Sequence, residues 1–223
     1  MDLSDPVTYV IFSGIFLALM SFYLIKNINR LKASEKKILF WNIVTPVVLS
    51  SLYLAGHTVY DNINSVTKGL IHYHADYQIW TCGQRIHFHK PQGFLNNKQG
   101  SPLLHSHEDD RIHVEGTVMS FSEITLGKFF EVTKGSLTSQ AIKIYTDDGL
   151  KTYTNGDLCP NGQPGYLKVY VDGKLIQNPK DYVIKPHTYV PPGDCIIIEF
   201  SNFASPTTDK ICESYTAKGV SYS

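Results

Sequence analysis

Seven of the nine histidines fall between positions 72 and 113. They are spaced as His72-x-His74, His87-x-His89 and His105-x-His107, and His113 is followed two residues on by Glu115. In a β-strand, residues i and i+2 project from the same face, so each pair presents two imidazoles side by side. His72, His74 and Asp76 form one such row, while Tyr73, Ala75 and Tyr77 face the other way. His113 and Glu115 form another. A sheet that brought three of these rows together would gather several nitrogen and oxygen donors in one place. Imidazole suits zinc, copper, iron and nickel, and a carboxylate beside it either completes the shell or orients a ring from behind. The pattern marks His74, His105, His107 and His113 as primary metal ligands, with His72, Asp76 and Glu115 as auxiliary ligands or supporting partners.

Histidine also serves other ends. His57 and His187 stand alone, and His87 and His89 follow a turn, where they alternate with Ile86 and Phe88 as the solvent face of a strand. A pH-responsive interface is a second reading of the grouped set, because histidine titrates near neutrality. The chain has only three methionines, which argues against a thioether-rich Cu(I) carrier. Among divalent ions intrinsic affinity favours copper over zinc but supply decides in practice, so the expected cofactor is copper or zinc.

The elements that must carry these residues read mainly as strands. Runs of strand-forming residues occupy 72–80, 84–89, 111–117, 140–146, 166–172 and 194–200, with Cys82-Gly83 and Asp172-Gly173 where hairpin turns are expected. One helix is expected around 122–133, capped by Ser122 and burying Leu126, Phe129 and Phe130. Segments 95–102 and 154–165 read as loops. Strands, one helix, then more strands predict an α+β domain with a mixed sheet packed on a helix, in the manner of a β-grasp.

Ahead of this domain, residues 6–25 and 38–60 carry no charge, and each is long enough as a helix to cross the roughly 30 Å hydrocarbon core. Between them lie Lys26, Arg30, Lys32, Lys36 and Lys37 against Glu35 alone. The residues before the first segment are acidic, with Asp2 and Asp5, whereas a secretory signal peptide is basic there. The positive-inside bias therefore predicts a two-pass cell-membrane protein, with the 26–37 loop in the cytoplasm and both ends outside. Residues 1–60 form a two-helix transmembrane anchor in this reading, and 61–223 an extracytoplasmic domain. Asn42, Pro46, Ser50 and Ser51 give the second helix polar or small packing positions, which suits contact with other membrane-protein subunits.

Charge narrows the partners further. Lys plus Arg and Asp plus Glu both total 20, so the chain lacks the positive excess by which nucleic-acid binders displace counterions. Hydrophobic residues at 43% and charged residues at 18% exclude a disordered chain. The four cysteines, Cys82, Cys159, Cys195 and Cys212, all follow the second apolar segment. An even number confined to the external part predicts two disulfides, in any of three connectivities. No C-x-x-C occurs, which disfavours a thiolate zinc site and a thioredoxin motif.

Two resemblances bear on these residues. Gly100, His105 and His107 are similar to the opening of the first cupin motif, and Pro191-Pro192-Gly193 to part of the second, but Ile196 stands where the second cupin histidine belongs. A fuller set covers 72–133: His72-Tyr73-His74-Ala75-Asp76, Leu104-His105-Ser106-His107, Ile112-His113-Val114-Glu115, and Thr125 to Phe130. Together these resemble a family of often membrane-anchored proteins of archaea and little-studied bacteria. The resemblance supports grouping these residues and implies no particular reaction.

Three functions follow as expectations. The first is a metal-binding module held outside the membrane, which buffers, delivers or senses copper or zinc or serves a larger membrane complex. The second is a metal-dependent enzyme with an open coordination position and Asp76, Glu108, Asp109 or Glu115 as general base. No H-E-x-x-H helix and no G-x-S-x-G elbow is present to support it. The third is a disulfide-stabilised interaction protein that binds no metal.

Overall fold

A computed structural model describes residues 6–90, 97–107, 109–184, 193–202 and 211–212. The chain divides into two units, one ending at Asn64 and the other beginning at Ser65.

The first unit is a pair of helices, α1 (Pro6–Asn27) and α2 (Ala33–Asn64). Both are long and apolar enough to cross a membrane. The uninterrupted apolar run forms a helix because only a helix satisfies every backbone group within its own segment. Asn27 closes α1 by donating its amide to the Tyr23 carbonyl at 2.9 Å. At the start of α2 the Glu35 carboxylate accepts from the Lys32 backbone amide at 2.7 Å. Pro46 sits inside α2, and the Ser50 hydroxyl lies 2.6 Å from the Pro46 carbonyl oxygen and 3.1 Å from Ser13 Oγ on α1.

The second unit is mainly β. Its strands are β1 (Leu70–Thr81), β2 (Gln84–Ile86), β3 (Gln99–Gly100), β4 (Leu104–Ser106), β5 (Arg111–Thr117), β6 (Ser136–Leu137), β7 (Ala141–Thr146), β8 (Gly149–Thr154), β9 (Tyr166–Val171), β10 (Lys174–Leu175) and β11 (Cys195–Ser201). An eight-stranded mixed sheet runs in the order β10-β9-β11-β1-β5-β4-β3, with β2 paired to the end of β1. A separate antiparallel sheet holds β6, β7 and β8. The strands expected at 72–80, 111–117, 140–146, 166–172 and 194–200 are all present, and 84–89 is strand only as far as Ile86. Both expected hairpin turns form: Cys82 and Gly83, like Asp172 and Gly173, have φ values between 49° and 85°. Positive φ at both central residues matches the twist of the flanking strands.

The helix begins later than its sequence suggested. Phe121–Ile124 forms a 3₁₀ turn capped by Ser120, whose backbone amide donates in return to Glu123. Thr125 then breaks the run in extended conformation, and its hydroxyl accepts from Lys128 to start α3 (Leu126–Val132). Ser122 is thus inside the preceding turn and caps nothing in α3. The buried face is as expected: Leu126, Phe129 and Phe130 are fully enclosed.

These three side chains meet one face of the mixed sheet. Ala75, Tyr77 and Ile79 of β1, Ile112 and Val114 of β5, Leu104 of β4 and Ile196, Ile198 and Phe200 of β11 form that face, and Leu137, Ile142 and Ile144 of the small sheet join the same core. β11 lies between β9 and β1, running parallel to β1, and every residue in it is buried, which accounts for its unbroken Ile196-Ile197-Ile198 run. All four cysteines are bonded, Cys82 to Cys159 and Cys195 to Cys212.

Candidate metal centre

Alternation along β1 and β5 sends the core residues to one side and the histidines to the other. Register then lines the histidine face up across the strands: His72 opposes Glu115, His74 opposes His113, and Asp76 opposes Arg111. On the far edge of β5, His113 also opposes His105 of β4. His107 follows just past the end of β4. The three rows expected from spacing alone are therefore adjacent on one face of the sheet.

Five imidazoles meet there in two overlapping triads. His72, His74 and His113 have ligand atoms within 4.8 Å of one another, as do His105, His107 and His113. Either triad could hold a metal ion. Three nitrogens around one zinc or copper ion at about 2.0–2.1 Å sit roughly 3.4 Å apart, so each triad is within side-chain adjustment of a ligand set. The Nε2 atoms of His72 and His74 are hydrogen-bonded at 2.9 Å. The His105 and His113 rings are stacked, with centroids 5.4 Å apart, and His107 lies edge-on to both.

His105 is the most constrained member. Its side chain is 0% exposed, and neither ring nitrogen has a hydrogen-bond partner among the described residues. Glu115 Oε2 lies 3.7 Å from its Nε2, beyond hydrogen-bond reach. Burial, reinforced by the positive charge of Lys98 and opposed by Glu115, pushes its pKa down to about 4. Burial also lowers the pKa of His74, with His113, His72 and Arg111 adding to the effect and Asp109 opposing it. Burial thus favours the neutral form of both rings, the form that offers a lone pair to a metal.

The carboxylates are distributed around the imidazoles. Asp109 Oδ2 lies 3.0 Å from His113 Nε2. Burial works against its charge, but the hydrogen bond with His113 and nearby backbone amides hold its pKa below the ordinary value. Glu115 reaches His72 Nε2 at 3.1 Å and accepts from Lys98 Nζ at 3.1 Å, the hydrogen bond that does most to lower its pKa. Asp76 is not brought into either triad: its Oδ1 accepts from Arg111 Nε at 2.7 Å, one register step away. Glu108 lies outside the described residues, as do His187, Pro191 and Pro192.

His87 and His89 stand apart from the cluster. His87 Nδ1 pairs with Asp110 at 3.0 Å, beside Arg85 on the same carboxylate, and His89 Nδ1 pairs with Asp147 at 2.7 Å. Asp109 and Asp110, adjacent in sequence, thus serve different histidine groups. Sequence reasoning overlooked Arg111 and Lys98. Arg111 was legible, because it precedes His113 by two residues and must share its face. Lys98 offered no such signal, since it lies in a segment without strand periodicity.

No protein-family model matches this chain, and no curated protein or solved structure matches it. The histidine clusters, the two disulfides and the pair of long apolar helices therefore carry the functional argument themselves.

Proposed function

We propose that this chain is a membrane-anchored, extracytoplasmic metal-binding protein that takes copper or zinc on the histidine face of its β domain and works beside other membrane-protein subunits. The observation that carries the reading is His105. A fully buried imidazole whose two nitrogens find no partner among the described residues loses hydration on folding without a hydrogen bond from them in exchange, a cost of about 1–3 kcal/mol per unsatisfied group. A metal ion shared with His107 and His113 gives the nitrogen that carries the lone pair a bonding partner.

Further features support the rest of the reading. Nitrogen donors with few methionines suit copper(II) or zinc better than copper(I). Two disulfides suit an oxidising compartment. The basic residues between α1 and α2 favour a cytoplasmic loop, which leaves the β domain on the outer side.

The test is metal content. Full-length protein purified in detergent, with its disulfides intact, is dialysed against trace-metal buffer and measured by elemental analysis. Retained copper or zinc that is lost in a folded His105→Ala/His107→Ala variant supports the proposal. A folded wild-type protein that retains neither metal, even after it is supplied, overturns it in favour of an interaction role.

A further inference from the structure

The two triads are not independent, because both need His113. A neutral imidazole has one N–H and one lone pair. Asp109 Oδ2 lies 3.0 Å from His113 Nε2, and an ionised carboxylate can only accept, so the proton belongs on Nε2 and the lone pair on Nδ1. Nδ1 is buried and has no hydrogen-bond partner among the described residues. One lone pair binds one ion.

The two positions also differ in character. His72 is 57% exposed, and its Nε2 is already engaged by His74 and Glu115. His105 is enclosed, and its nitrogens have no hydrogen-bond partner among the described residues. The exposure of His72 opens the His72/His74 side to solvent, where ligands can exchange with water. On the His105/His107 side an ion replaces no hydrogen bond between His105 and the described residues, which favours tighter binding there.

Resting on the metal-binding reading, we propose that the cluster holds one ion at a time in two alternative positions, an exposed entry position at His72/His74 and a buried retention position at His105/His107, with His113 as the ligand common to both. The ion moves between them by exchanging two ligands while keeping the third. Asp109 is the positioning residue that restricts His113 to a single donor nitrogen.

The experiment uses full-length protein in detergent and copper(II) as the probe. Bound copper is counted after gel filtration, affinity is measured by chelator competition, and loading is followed by stopped-flow absorbance. Wild type should saturate at one ion per chain. The His72→Ala/His74→Ala variant should keep its affinity within about threefold but load at least tenfold more slowly. The His105→Ala/His107→Ala variant should still bind one ion, at least a hundredfold more weakly and with faster release. Because His105 is buried, the single His107→Ala variant, at a less enclosed position, serves as the check should the double variant fail to fold, and it should show the same weakening in reduced degree. Two ions per wild-type chain would overturn the proposal, as would equal loss of affinity in the two double variants, which would indicate one undivided site. Failure of wild type to bind copper or zinc would instead defeat the metal-binding reading itself.

Discussion

His74 and His113 are register partners across β1 and β5, and their rings meet edge-on with centroids 4.6 Å apart. The same ladder sets His72 against Glu115 and Asp76 against Arg111 on either side of them. The centre of the cluster is therefore built on paired strands, whose backbone hydrogen bonds hold these side chains side by side.

Asp109 should govern affinity more than stability. An Asp109→Asn substitution keeps the shape of the side chain but removes the charge that fixes the His113 tautomer. Affinity for copper or zinc is expected to fall 10–100-fold in a chelator competition assay. The denaturation midpoint should barely move, since Asp109 is partly exposed at the surface. Unchanged affinity would remove Asp109 from its positioning role.

Acidification should destabilise the metal-free protein through His105. The unfolded chain takes up this proton near the ordinary value of 6.5, whereas the folded chain takes it up only at about 4. Between those values the unfolded state binds more protons, so stability falls as pH falls, by up to about 1.4 kcal/mol per pH unit. Urea denaturation between pH 7 and pH 4 measures the slope. The slope should be shallower in His105→Gln, and an identical slope in that variant would assign the effect to another group.

Gly100 should be intolerant of any side chain. It is the register partner of His105, has φ of 126°, and a Cβ there would collide with the Leu104 carbonyl oxygen and come within 2.9 Å of His105 Cα. Gly100→Ala is expected to cost roughly 1–3 kcal/mol and to weaken metal binding by displacing β4. Thermal denaturation and metal titration on the same sample check both effects. Weakened stability with full affinity would show that β4 holds its place without β3.

The two disulfides should differ in value. Cys82–Cys159 spans 77 residues and Cys195–Cys212 spans 17. Loop-closure entropy assigns about 4 kcal/mol to the first and about 3 kcal/mol to the second. Guanidinium midpoints of the two paired Cys→Ala variants test the order, and a reversed order would mean that packing around Cys195 and Cys212 outweighs loop length.

Much of this site was legible because a strand has a period of two. That period alone grouped His72 with His74 and His113 with Glu115, and separated them from Ala75 and Val114. What it could not give was neighbourhood. Pairing of β1 with β11 joins segments more than a hundred residues apart, and no local pattern announces it. The fate of Asp76 shows the same limit: its residue type and face suit a metal, but the register partner Arg111 claims its carboxylate. The start of α3 was misplaced because Ser120, Ser122 and Thr125 are all competent caps, and only the chain path through the 3₁₀ turn selects among them.

The strict division of β5 into a core side and a histidine side limits how this segment can change. A residue inserted or deleted between Arg111 and Glu115 would turn His113 toward α3 and Val114 toward the histidines, reversing both faces at once. Substitutions can be tested there one position at a time, whereas a change of length should abolish the core and the metal centre together. Fusions, tags and loop grafts therefore belong in the longer loops, such as 155–165, and not in the two-residue turns at Cys82-Gly83 and Asp172-Gly173, whose length sets the register of the strands they join.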